Sequence, residues 1–168
     1  MPISDNLKRI YTGQNTQTII IKTLEIYNAG AGAKYLADWP EPVTATDENG
    51  IVKTYEAAGF TIAEPGQSSS GRADLQIAIA NADGQIDAYL DAVKNSTSKE
   101  TRITYRIYTE DDLLEPQINP PMTLKASTCT RVDASYTITA GRDDLLNRKF
   151  PRMTYRATGP ASFPGLRR

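Results

Sequence analysis

Thr101-Arg102-Ile103-Thr104-Tyr105-Arg106-Ile107-Tyr108-Thr109 decides the fold class of this chain. Ile103, Tyr105 and Ile107 occupy one set of alternate positions, and Thr104, Arg106 and Tyr108 the other. Alternation with period two, carried by β-branched and aromatic residues, predicts a strand with two unlike faces. The same pattern recurs on both sides. Ala73 to Ala80 sets Leu75, Ile77 and Ile79 against Asp74, Gln76 and Ala78. Downstream, a hairpin is expected from roughly Met122 to Thr130 and back from Arg131 to Ala140; its second arm sets Val132, Ala134, Tyr136 and Ile138 against Asp133, Ser135, Thr137 and Thr139.

Working outward, Thr16 to Asn28 is dense in Ile and Thr and reads as another strand. Its opening apolar run predicts burial of the first half on both faces. Ala29-Gly30-Ala31-Gly32 breaks it, and Lys34 to Trp39 forms the next strand, ended by Pro40 and Pro42. Asp47-Glu48-Asn49-Gly50 is a turn signal, so Val43-Thr44-Ala45 and Ile51-Val52-Lys53-Thr54-Tyr55 are expected to pair as a hairpin. Phe60-Thr61-Ile62 adds a short strand, and Pro65 to Gly71 reads as a loop. Two short helices complete the inventory. Ser4 to Thr12 has a Ser4 N-cap, with Leu7, Ile10 and Tyr11 on one face expected to pack on the sheet. The second helix carries Ile86, Tyr89, Leu90 and Val93 and closes at Asn95 and Ser96. The expected architecture is mainly β (α+β), an antiparallel β barrel or sandwich with two short helices. Residues 1–141 form the β-rich domain and residues 142–168 an extended C-terminal arm.

The arm is distinctive. It runs through Asn147-Arg148-Lys149-Phe150-Pro151-Arg152-Met153-Thr154-Tyr155 and ends near Ser162-Phe163-Pro164-Gly165-Leu166. Proline restricts the residue before it to extended geometry and cannot sit in a central strand or helix interior. An extended segment does not bury large apolar side chains by itself, so Phe150, Tyr155, Phe163 and Leu166 are expected to lie on the domain or on a neighbour. From Arg142 onward, seven Lys and Arg face two Asp, a net charge of +5; residues 1–141 carry -6. An acidic body with a basic arm admits two readings: head-to-tail contact between copies, or an arm that lies on its own domain. The interface candidates are Arg148, Phe150, Pro151, Arg152, Tyr155, Arg156, Phe163 and Leu166.

Composition narrows the chemistry. The chain has no histidine, which removes the commonest general base and the usual partner of a Ser or Cys nucleophile. No paired acidic motif on rigid elements is present, so no catalytic residue, metal site or cofactor is assigned and a non-enzymatic role is expected. Cys129 is the sole cysteine, which excludes an internal disulfide and fits a reducing compartment. In the alternating reading it falls on the face opposite Leu124 and Ala126. Glu110-Asp111-Asp112 with Glu115 matches no EF-hand spacing and reads as a solvated acidic loop. The glycines after the first strand lack the spacing of a phosphate or dinucleotide cradle. Arg102, Arg106 and Arg131 interleave with Tyr105, Tyr108 and Tyr136. With a pI near 5.5 this suits a protein interface rather than nucleic acid. No apolar run reaches the length of a membrane span, and Met1-Pro2-Ile3-Ser4-Asp5 predicts no secretory signal.

The order of these features resembles a family of small phage-encoded proteins of unknown function found among the tail genes of long-tailed phages. It is similar to the N-terminal β domain of the minor tail proteins that join tail tube to tip. The likeness rests on the Leu-Glu-Ile strand, Ala73-Asp74-Leu75-Gln76-Ile77 leading through Asn81 into a helix, the strand Arg102 to Tyr108, and the closing run Asp144-Leu145-Leu146-Asn147-Arg148 to Phe150-Pro151 and Phe163-Pro164-Gly165-Leu166. Longer relatives continue into a cysteine-rich metal-binding extension; with Cys129 as the single cysteine, the resemblance carries no such cluster over to these residues. The resemblance implies a tail-hub-like domain in a virion structural protein of the distal tail or baseplate hub. It would be made in the host cytoplasm and located at the tail tip. Its partners would be tail tube, hub and tip proteins, and it would act as a cyclic homo-oligomer, trimer or hexamer, without nucleic acid or membrane insertion. A tail-assembly or head-to-tail completion factor is the alternative. So is a host-surface or glycan-binding module, in which Tyr35 and Trp39 would stack on sugar rings.

Overall fold

The computed structural model describes residues 3–13, 18–63, 75–80, 84–98, 100–133 and 135–141. These form two helices, α1 (Asp5–Tyr11) and α2 (Gln85–Asn95), and nine strands. The strands are β1 (Ile20–Asn28), β2 (Gly32–Ala37), β3 (Val43–Thr46), β4 (Val52–Ala57), β5 (Phe60–Ala63), β6 (Leu75–Ala80), β7 (Thr101–Thr109), β8 (Met122–Val132) and β9 (Ser135–Gly141). They join one sheet in the order β3-β4-β2-β1-β7-β8-β9-β6-β5. All pairs are antiparallel except β2 with β4.

The fold is therefore mainly β, as the alternation predicts, and of the two architectures expected it is sandwich-like: the ladder does not close into a barrel. The stretch Val52–Ala63 explains the shape. Its first half, β4, pairs with β2, and the Ala58 N–H donates to the Ala37 carbonyl at 2.9 Å. Its second half, β5, pairs with β6, after the Ala80 N–H reaches the Gly59 carbonyl at 2.9 Å. One extended segment thus serves both ends of the strand order. The sheet curls around a core of Leu24, Ile26, Leu36, Phe60, Ile77, Ile79, Ile103 and Ile138, with Ile86 of α2 packed into the same cluster. A second, smaller core lies on the opposite face of β1 and β7. There the β3–β4 hairpin covers Ile21 and Tyr108 with Val43, Ala45 and Tyr55.

Several local expectations change. β1 is not buried on both faces over its first half: Ile19 is exposed and Lys22 points to solvent. Two-sided burial falls at Thr23 and Leu24, where β2 begins to pair and the hairpin covers the second face. In α1 only Leu7 is buried, while Tyr11 is exposed. The Ser4 cap holds, with Leu7 N–H donating to Ser4 Oγ at 3.2 Å. The last turn sits two residues later than expected, so Val132 closes β8 and Asp133 takes a positive φ of 52°. A bulge between Ala126 and Thr128 shifts the β8 register by one. Cys129 consequently pairs with Ile138 and shares a face with Leu124 and Ala126, not the opposite one. Ala73, Asp74, Asn81, Ala134 and the Pro65–Gly71 loop lie outside the described residues.

Candidate interaction site

All eight arm residues singled out above, Arg148, Phe150, Pro151, Arg152, Tyr155, Arg156, Phe163 and Leu166, lie outside the described residues. The Arg/Tyr constellation, in contrast, is described and does not form one surface. Tyr105 and Tyr136 belong to the larger core. Tyr108 is buried in the smaller one. Arg102 and Arg131 remain at the surface, the latter over the Tyr136 ring at 5.7 Å. Tyr35 and Trp39 are half-buried and pack against the smaller core, with Tyr35 edge-on to Tyr55 at 5.7 Å.

Arg106 is buried, and it organises the most concentrated chemistry in the described residues. β1 and β7 place Thr23 opposite Arg106 and Glu25 opposite Thr104. The Asp47–Gly50 turn then brings Glu48 onto the same face. The Arg106 guanidinium donates to Glu48 through Nε at 2.7 Å and Nη2 at 2.9 Å, and to Glu25 Oε2 through Nη1 at 2.7 Å. Lys53 reaches Glu25 and Asp47 at 3.0 Å each. Asp47 also closes the turn, its Oδ1 accepting from the N–H of Asn49 at 2.9 Å and of Ile51 at 2.8 Å. Three carboxylates and two cations thus tie the hairpin to the sheet, with a formal charge of -1.

The electrostatics follow from this packing. Burial pulls the Arg106 pKa down, but the hydrogen bonds to Glu48 and Glu25 more than offset it, so the guanidinium is held charged. The bond from Arg106 lowers the Glu48 carboxyl against the opposing pull of burial. Burial raises Asp47, yet the Ile51 N–H, Lys53 and the Asn49 N–H bring it below the usual carboxylate range. Lys53 is pushed down by burial and raised overall by Asp47 and Glu25. Each of these five charges has a partner of opposite sign. The arrangement suits holding the hairpin in one place.

Beside it, Thr46 N–H donates to the Leu113 carbonyl at 2.9 Å, and the Tyr108 hydroxyl donates to the Thr46 carbonyl at 2.9 Å. The loop after β7 is thereby fastened to the hairpin edge. Among the described residues, no three acidic or cysteine side chains converge as metal ligands. No helix of the described residues is long and apolar enough to cross a membrane.

The strand series, the helix between β6 and β7, and the closing β8–β9 hairpin make up a domain whose sequence has a family model. The chain belongs to the DUF1833 family. The model, described as a domain of unknown function, matches residues 6–155. This span takes in all of α1 but Asp5, the whole sheet, the first Phe-Pro pair and Tyr155. No curated protein matches this DUF1833 chain.

Sequence reasoning missed the ion network. Glu25 and Arg106 stand in the middle of two apolar strand segments, Leu24-Glu25-Ile26 and Tyr105-Arg106-Ile107. Opposite charges at two strand centres are the signal that would have paired them.

Proposed function

We propose that this DUF1833 domain is a structural component of a phage tail. It would act at the distal tail or baseplate hub as a ring-forming adaptor between tail tube and tip. The observation that carries the reading is the arm: a +5 segment with Phe150, Tyr155, Phe163 and Leu166, attached to a body of -6. Apolar anchors give such a contact its affinity, while Arg148, Arg152 and Arg156 set its register against acidic loops of the neighbouring copy. The sandwich-like sheet and the fully paired ion network are consistent with a scaffold, and the sequence order resembles tail-tip proteins.

The experiment is a copy count. Quantitative mass spectrometry of purified particles, relative to the main tail-tube protein, is expected to give about 3 or about 6 copies per particle, as a closed ring requires. Absence from mature particles overturns the reading and favours an assembly or completion factor. Sedimentation of the chain lacking residues 148–168 is expected to show a folded monomer.

A further inference from the structure

Three large apolar side chains stand out at one end of the domain. Ile51 and Val52 leave the β3–β4 turn, and Leu114 follows Leu113; they are 56%, 64% and 74% exposed. Val52 is the register partner of Thr46, whose N–H is bonded to the Leu113 carbonyl, so the three lie within about two strand spacings of one another. Exposed aliphatic residues gathered at a fixed hairpin tip mark a contact surface. The loop that carries Leu114 is also acidic, with Glu110, Asp111, Asp112 and Glu115. Among the described residues none of these carboxylates forms an ion pair. Asp111 accepts from the Thr18 hydroxyl at 2.8 Å, and Asp112 from the Leu114 N–H at 3.1 Å and Gln117 Nε2 at 3.2 Å. An occupant that suits this surface is basic and brings apolar side chains.

The register says what reaches it. β9 runs parallel to β7, because each is antiparallel to β8. Gly141 pairs with Lys125, which pairs with Arg102, so β9 ends level with the start of β7 and heads toward the Glu110 end. Ahead of it lie Leu124 to Met122 of β8, and then the loop that returns along β7, where the Gln117 N–H donates to the Ile107 carbonyl at 2.8 Å. The eight residue steps from Arg102 to Glu110 span about 26 Å at strand rise. An arm that stays extended from Gly141 therefore brings Arg148 and Lys149 level with Glu110. The lines of β9 and β7 are two strand spacings apart, roughly 10 Å, and residues 150–155 cross that gap toward Leu114. Phe163 and Leu166 follow within the 27 residues from Arg142 to Arg168 and extend the contact toward Ile51 and Val52. Length, direction and charge thus all favour the same occupant. We infer that the loop after β7 and the adjoining hairpin tip, through Leu114, Ile51 and Val52, seat the C-terminal arm of the same chain before assembly. The consequence for assembly rests on the reading above: the seat that the free chain fills with its own arm is the one a neighbouring copy's arm takes over in the ring. Assembly then exchanges one arm contact for its equivalent, and the free chain keeps its apolar anchors covered.

The test compares two disulfides within one chain. In a Cys129→Ser background, full-length chains carry Tyr155→Cys with either Leu114→Cys or Val132→Cys and are oxidised at low protein concentration. Leu114 and Val132 are both exposed. Val132 lies about 23 Å from the level of Gly141 in the opposite direction, so an arm that only trails from Gly141 reaches the two positions about equally. The expected result is an intrachain disulfide at Leu114 that forms at least about tenfold faster than the one at Val132, an advantage that Glu110→Lys with Glu115→Lys removes. Equal rates overturn the inference. So does a Leu114–Tyr155 disulfide that forms only between chains, although arm-driven assembly itself then stands. A fast intrachain disulfide in a protein whose mass in solution matches that of a monomer at every concentration supports the seat and overturns the assembly reading.

Discussion

Replacing Arg106 by methionine tests whether the ion network anchors the hairpin. The side chain is 3% exposed and makes three charge-assisted bonds of 2.7–2.9 Å to Glu25 and Glu48. Methionine fills comparable space but leaves two partly buried carboxylates facing each other. Losing one partner of a buried pair costs about 3–5 kcal/mol. That is a large share of the roughly 5–15 kcal/mol that holds a domain folded, and it lowers the melting midpoint of a chain this size by about 10 °C. The pH dependence separates charge from packing. In the native protein the Glu48 and Asp47 carboxyls are held low. Their contribution is therefore present above the ordinary carboxylate range and lost as pH falls through the lowered folded values. In Arg106→Met the group that lowers Glu48 is gone and burial remains, so its folded pKa rises and acid relieves the variant. Urea denaturation at pH 7 and pH 4.5 reads both effects. The penalty is expected to shrink clearly at pH 4.5. A penalty under about 1 kcal/mol at pH 7, or one equal at both pH values, refutes the reasoning.

Three further substitutions probe other parts of the frame. Asn28 is buried, donates Nδ2 to the Ser98 and Glu100 carbonyls and accepts from the Gly30 and Ala31 N–H groups. Asn28→Asp turns the donor into an acceptor against two carbonyls and is expected to cost about 3 kcal/mol at pH 7, measured by urea denaturation. A Cβ at Gly30 would lie 2.8 Å from Ser96 Cβ. Gly30→Ala should cost about 1–3 kcal/mol, with partial rescue by Ser96→Gly in thermal melts. Leu7 is the one buried side chain of α1. Leu7→Ala should cost about 2–5 kcal/mol, with amide exchange of α1 rising more than that of β7.

The alternating strands were legible because burial on one face writes itself into every second residue. Leu75-Ile77-Ile79 and Tyr136-Ile138-Ala140 point inward as their pattern requires. What failed was local geometry that does not depend on hydrophobicity. The bulge at Ser127 moves Cys129 to the other face through backbone pairing alone, and no residue type announces it. The run Ile19-Ile20-Ile21 looks like a two-sided core, yet its burial depends on which neighbours cover it. The partner switch from β4 to β5 is a long-range property and leaves only Ala58-Gly59 as a local trace. The ion network needed two strands and a turn to meet, and each of its residues read alone looks like an ordinary surface charge.

A buried ionic cluster is a poor source of net stability, because well-packed apolar residues in the same space often do as well or better. Its distinguishing property is direction. The Arg106 fork fixes Glu48, Asp47 fixes the N–H groups of Asn49 and Ile51, and Lys53 joins the two halves through Glu25. The hairpin tip is thereby held in one orientation, which greasy contacts alone would leave freer. Replacing Arg106, Glu25 and Glu48 together by methionine removes the fork but leaves Lys53 neutralised by Asp47. Stability is expected to stay within about 1 kcal/mol of the native protein, whereas amide exchange at Asn49 and Ile51 rises relative to β1. If exchange at the turn is unchanged in a folded triple variant, the cluster does not orient the hairpin and its Val43, Ala45 and Tyr55 contacts alone must do so.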